Sequence, residues 1–318
     1  MDRGIEELLN SCIRSEAVFF VPDGDVRNYA RTTISYIRWK LLLIKIDRLD
    51  GEEKVMGKMS GDKYPEDKRL VFDTITEQFD EWRERYSEEL FEYIRTTCEL
   101  KAGKKCLEIG PGTGQASDFA IQSGCDYTAI ELGENLAEAM QKKYGSYKNF
   151  KMVHDDFETH LFAPDYFDLV YSAATIQWIK EDLAYRKCYE ILKNKGYLAM
   201  FRMLDDYKSA NADLYDDIQK VYDTCYEVDI PYTCKFDYKN GKSYGFTYLG
   251  EYKFYGERSY TAQGFIEYIK TNADLITIKD SSRDAFFSGI RDAIMKHGNK
   301  IVVRATYVLD LYQKICRN

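Results

Sequence analysis

Three glycines fall within five residues in Gly110-Pro111-Gly112-Thr113-Gly114, directly after the apolar run Cys106–Ile109. A chain that turns this sharply without Cβ atoms lets a ligand approach its backbone N–H groups. The spacing is G-x-G-x-G. A dinucleotide fingerprint needs its third glycine at position 115, where Gln115 stands. About 20 residues after the first glycine, Ile130-Glu131-Leu132 closes a second apolar run, at the distance where an acid can accept hydrogen bonds from ribose hydroxyls. Taken singly, the turn also reads as a structural loop and Glu131 as a solvated acid at a strand end. Two further stations follow, His154-Asp155-Asp156-Phe157-Glu158 and Phe167-Asp168-Leu169-Val170-Tyr171-Ser172-Ala173-Ala174.

The elements that must position these residues are short apolar runs alternating with amphipathic helices between 104 and 204, the pattern of a parallel sheet with crossover helices. Strands are predicted at Lys105–Ile109, Tyr127–Glu131, Phe150–His154, Phe167–Ser172 and Tyr197–Arg202. Helices are predicted to begin near Thr113, Glu134 and Asp182. The implied class is α/β, a doubly wound core. Ahead of it, residues 1–66 read as a helical leader ending in a linker marked by Gly51, Gly57, Gly61 and Pro65, and 67–100 as a further helical stretch. Beyond it come an acidic helical stretch from 205, a Tyr-rich irregular region from Tyr222 to Tyr260, helices near 262–271 and 283–297, and a terminal strand from Ile301 to Leu311.

Composition narrows the function. Across 318 residues, 45 Lys and Arg face 53 Asp and Glu, a net charge of -8, which does not favour a nucleic-acid partner. The eight cysteines form no C-x-x-C pair, and histidine is limited to His154, His160 and His297, so no metal site is expected and the thiols read as reduced in a cytoplasmic protein. The longest aliphatic run, Leu41 to Ile44, is too short to span a bilayer, and no membrane partner is expected.

At these motifs the chain resembles class I S-adenosylmethionine-dependent methyltransferases, in particular the type 11 and trans-aconitate methyltransferase-like group acting mainly on small molecules. The resemblance covers about 67–204 well and 205–318 more loosely. It implies a mostly parallel, seven-stranded Rossmann-like sheet, with 67–318 as the methyltransferase domain, a cap insertion at about 205–260, and 1–66 as a lid or a homodimerisation element. It further implies that Glu108, Gly110, Gly112 and Gly114 pass under the amino-acid part of S-adenosylmethionine, which leaves as S-adenosylhomocysteine. Glu131 and Leu132 hold the ribose, Asp156 and Phe157 meet the adenine, and Ser172 belongs to the same site. The stretch from Phe79 to Tyr86 resembles the family's helical lid, with Arg83 facing the cofactor carboxylate and Glu84 where the family has proline. Gln177 and Trp178, with Tyr86, stand at the acceptor mouth.

Methyl transfer from a sulfonium is an in-line displacement that needs alignment and dryness more than acid–base groups. His154 is a candidate base, and Arg202, at the end of a strand, is a candidate for holding an acidic acceptor. The tyrosines Tyr222, Tyr226, Tyr232, Tyr248, Tyr252 and Tyr260 suggest a planar or partly apolar acceptor. Two other readings stay open: a nucleotide-dependent oxidoreductase, and a cofactor-binding scaffold that catalyses nothing.

Overall fold

The computed structural model describes residues 65, 67–228 and 235–315. The expected leader and its roles therefore lie outside the described residues apart from Pro65, as does Tyr232. The described chain belongs to one compact unit, Lys63–Asn318.

Five parallel strands follow the sequence reading closely: β1 (Lys105–Ile109), β2 (Asp126–Glu131), β3 (Phe150–His154), β4 (Phe167–Ala173) and β5 (Leu192–Asp206). Successive residues serve opposite faces of the sheet. Cys106, Tyr127, Ala129, Leu169 and Tyr171 pack on one side, and Leu107, Ile109, Ile130 and Val170 on the other. Burial on both faces explains why β1, β2 and β4 are nearly continuous in apolar residues, whereas β3, at the sheet edge, carries exposed Lys151 and His154.

Two long strands complete the sheet, β6 (Phe246–Tyr260) and β7 (Ile301–Lys314), in the order β3-β2-β1-β4-β5-β7-β6. β7 runs antiparallel to β5, and β6 antiparallel to β7. The seven-stranded, mostly parallel sheet is thus present, and it carries one antiparallel hairpin. β6 corrects the irregular reading of 246–260. Its register shifts between Tyr248 and Gly250, so the alternation breaks, and as an edge strand it is paired on one side only.

Helices α1 (Thr76–Trp82), α2 (Glu88–Thr97), α3 (Asp118–Gln122), α4 (Glu134–Tyr144) and α5 (Glu181–Ile191) accompany the parallel strands. α3 starts five residues after the expected Thr113, because the three glycines hold 110–114 in left-handed turns. A 3₁₀ helix, Lys68–Ile75, precedes α1, and its Asp73 carboxylate accepts from the Leu136 N–H at 2.9 Å, capping α4 from outside. Helices α6 (Ala212–Cys225), α7 (Ala262–Ile269), α8 (Ala273–Ile276) and α9 (Asp280–Lys296) follow. α6, α7 and α9 bury Ile218, Ile266, Phe286 and Ile290 against Ile301 and Val303 of β7, forming a third core cluster.

No helix among the described residues is long and apolar enough to cross a membrane.

Candidate functional site

The strand order reverses between β1 and β4, where consecutive connections leave the sheet in opposite directions and open a crevice at the strands' carboxyl ends. The residues lining the cavity there include Ile109, Gly110, Pro111 and Gly112 after β1, Ile130, Glu131 and Leu132 from β2, Asp155, Asp156 and Phe157 after β3, and Ala173, Ala174, Thr175 and Trp178 after β4. About 1000 Å³ lies between the walls, counting the part open to solvent, which is the scale of a small-molecule site.

The turn depends on glycine. Gly110, Gly112 and Gly114 have φ of 62°, 60° and 94°. A Cβ on Gly110 would sit 2.2 Å from Thr175 Cγ2, and one on Gly112 would sit 3.1 Å from the Phe79 ring. The Gly112 N–H donates to Glu131 Oε2 at 3.0 Å, while Leu132 and Gly133 donate to Oε1 at 2.9 and 3.1 Å. Burial pushes the Glu131 carboxyl up to about 7 despite these three donors, which favour the charged form.

Across the cavity, Asp156 accepts from Arg69 Nη2 at 2.9 Å and Nη1 at 3.2 Å. Arg69 also meets Asp67 at 2.7 Å and Glu158 at 3.2 Å, so one guanidinium ties the 3₁₀ helix to the segment after β3. The Asp67 hydrogen bond and then Asp156 hold its proton more firmly than usual. Phe157 is buried, and its carbonyl accepts from the Lys187 ammonium, which also donates to His160 O at 2.6 Å. Burial lowers Lys187 to about 8.

An aromatic roof closes the middle. Phe72 meets Phe79 and Trp178 edge-on, with ring centres 5.6 and 5.7 Å apart. Arg83, at the end of α1, lines the cavity over the Phe79 ring and donates to Asn272 Oδ1 at 2.9 Å. Glu84, Tyr86 and Met203 form the far wall.

Several expected site residues lie elsewhere. Glu108 is fully buried below the turn, accepting from Ser117 at 2.6 Å, Tyr171 at 2.7 Å and Tyr127; burial raises its carboxyl. It shapes the turn from beneath, because its position in β1 points it to the opposite face from Leu107 and Ile109. Ser172 is equally buried and donates to Ile109 O, joining β4 to β1. Gly114 packs on Tyr144, and Gln177 is engaged with Ala174 O and the Tyr238 hydroxyl. His154 is exposed, its Nε2 3.2 Å from Leu132 O, outside the lining. Arg202 donates to Asp310 at 2.8 Å and covers the Tyr238 ring, because β7 presents a fully buried acid beside it.

Most of the tyrosines after 220 are also structural. Tyr222 and Tyr226 pack on Phe286, and Tyr252 on Tyr93. The sequence reading missed Arg69, Phe72, Thr175 and Lys187. The only signal for Arg69 was its place two residues after an acid in a helix-opening stretch. Among the described residues, no group of three or more His, Cys, Asp or Glu could hold a metal ion.

Comparison with known proteins agrees with this geometry. Residues 107–200 match a family model described as a methyltransferase domain. Ribosomal RNA small subunit methyltransferase A of Borreliella afzelii (strain PKo) is 32% identical over 78 residues, 24% of this chain and 28% of that protein. The chain thus spans under a third of the length of the first curated relatives it matches. A proposed type II methyltransferase from Anaeromyxobacter dehalogenans has a TM-score of 0.57 at 15% identity, over 73% of this chain and 97% of that one. The [4+2]-cyclase SpnF has a TM-score of 0.51 at 13% identity, over 80% and 97%. These likenesses are of fold, and a fold shared with a cyclase does not fix the reaction. Family model and strand order together point to a methyltransferase domain over residues 107–200.

Proposed function

We propose that this chain methylates a small-molecule acceptor with S-adenosylmethionine. The observation that carries the reading is the glycine turn joined to Glu131 through the Gly112 N–H, at the switch point of the sheet.

The residues fit the cofactor by their chemistry. Glu131 and Asp156 offer carboxylate acceptors for ribose hydroxyls and an adenine amino group, and Ile130, Leu132 and Phe157 offer an apolar slot for a flat ring. Arg83 offers a fork of donors for a carboxylate, and the glycine turn leaves room for the amino-acid part. Phe79 and Trp178 offer aromatic faces to a cationic sulfur. When bound, S-adenosylmethionine supplies an electrophilic methyl group on a leaving group that is already cationic. The roof of Phe72, Phe79 and Trp178 excludes water, and the wall of Thr175, Glu84, Tyr86 and Met203 orients the acceptor.

An RNA acceptor is the second reading, favoured by the ribosomal RNA methyltransferase relatives. Against it stands the net charge of -8, which would repel phosphates. Calorimetry with S-adenosylhomocysteine and with NAD tests the cofactor, and preference for NAD would refute the reading. Transfer of labelled methyl to metabolites, set against unmodified ribosomal RNA, tests the acceptor class. Incorporation confined to RNA would reject the small molecule.

A further inference from the structure

We propose that the acceptor carries an amine and that Glu84 is the carboxylate that holds it. The inference rests on the S-adenosylmethionine reading above. In that reading the end of the cavity over β2 and β3, with Glu131, Asp156 and Phe157, belongs to the nucleoside. The acceptor is left the end over β4 and β5, where Thr175, Trp178, Met203, Tyr86 and Glu84 form the wall.

Among the described residues, two guanidiniums line the cavity, Arg69 and Arg83. Arg69 is committed to three carboxylates at the nucleoside end. Arg83 is held by the neutral groups Asn272 Oδ1 at 2.9 Å and Thr271 Oγ1 at 3.5 Å, and the reading assigns it to the cofactor's carboxylate. Arg202, expected to meet an acidic acceptor, is paired with Asp310 instead. Among the described residues, the acceptor wall therefore offers an acid no cation of its own.

What it offers is negative charge. Glu84 accepts from the Tyr260 hydroxyl and lies 3.4 Å from Arg258 Nη1. The same guanidinium turns its other nitrogen to Asp205, whose second oxygen accepts from Tyr268. Two carboxylates thus share one guanidinium, leaving an excess of one negative charge. Arg258, Asp205 and Glu84 are 13%, 22% and 28% exposed, so solvent screens that charge poorly. Of the three, Glu84 alone lines the cavity, and it shares that wall with the aromatic rings of Tyr86 and Trp178. A carboxylate beside aromatic faces suits a nitrogen that is cationic when free and rejects a second anion.

The step balances. A neutral amine forms its C–N bond to the methyl carbon as the C–S bond breaks, and that bond's electron pair passes to sulfur, leaving a thioether. The proton that the bound ammonium must lose before this attack passes to a Glu84 carboxylate oxygen and from there to solvent, and the methylated product leaves as an ammonium.

The test uses the full chain saturated with S-adenosylhomocysteine and two probes of similar skeleton, tyramine and 3-(4-hydroxyphenyl)propionate. These are titrated by calorimetry, and labelled-methyl transfer is followed on primary amines and their carboxylate counterparts. Amine binding should exceed carboxylate binding by about tenfold or more, and Glu84→Gln should abolish that preference while leaving S-adenosylhomocysteine affinity unchanged. If S-adenosylhomocysteine binds but carboxylates are preferred, or Glu84→Gln changes nothing, the amine inference falls and the methyltransferase reading stands. If S-adenosylhomocysteine does not bind, both fall. Should the variant fail to fold by circular dichroism, the charge preference of the unmodified chain decides alone.

Discussion

Replacing Glu131 with Gln tests whether the buried carboxyl at the end of β2 titrates near neutrality. Its pKa is pushed from 4.5 up to about 7, chiefly by burial. The difference, about 2.5 units, corresponds to roughly 3 kcal/mol at 1.36 kcal/mol per unit. The sign follows from the direction. A carboxyl raised in the folded state stabilises the fold fully below its unfolded value of 4.5, where both states are neutral, and that contribution is lost as pH rises through about 7. The Glu131→Gln side chain cannot titrate, although its amide would meet backbone donors and lower stability by a constant amount.

Unfolding in urea from about pH 4.5 to about pH 8 should therefore show the advantage of Glu over Gln shrinking by roughly 3 kcal/mol, the other titrations cancelling in the difference. A gap constant to within about 1 kcal/mol would refute the argument. Ligand binding supplies an independent readout. Accepting from two hydroxyls needs the charged form, which is only about a tenth populated one unit below the pKa. S-adenosylhomocysteine affinity should fall about tenfold between one unit above the midpoint and one unit below it, and should be flat in the variant.

Gly112→Val should fold but lose S-adenosylhomocysteine binding, since φ of 60° and Phe79 at 3.1 Å leave a branched side chain no place; normal binding by calorimetry would remove the turn from the site. Arg69→Ala should weaken that ligand by about 1 kcal/mol, with its partly exposed ion pairs discounted, and the loss should shrink in high salt. Arg202→Ala should lower unfolding free energy by about 3 kcal/mol, because Asp310 would stay fully buried beside the Tyr248 hydroxyl without its cation, yet leave S-adenosylhomocysteine affinity intact. Weakened affinity in that variant would return Arg202 to the site.

The contrast between Arg202 and Glu84 shows where the sequence stops being informative. β1, β2 and β4 were legible because each carries an apolar run buried on both faces, and the edge strand β3 because acids follow it at fixed spacing. Local spacing also brought Gly112 and Glu131 together, since parallel pairing of β1 with β2 sets Ile109 beside Ile130. Glu108 failed the same logic, because alternation along one strand sends neighbouring side chains to opposite faces. Arg202 failed for a different reason. Nothing within a hundred residues of it announces Asp310, which arrives only when β7 pairs antiparallel and sets Val308 and Asp310 across from Arg202 and Met200. Glu84 read as a departure from a family proline, and its partners Arg258 and Tyr260 lie on β6, the strand whose shifted register hid it. The residues proposed to hold the cofactor's nucleoside follow neighbouring parallel strands and can be read in order. Glu84 and the β6 residues that set its charge are more than a hundred residues apart, so the charge of the acceptor wall becomes visible only once the sheet is assembled.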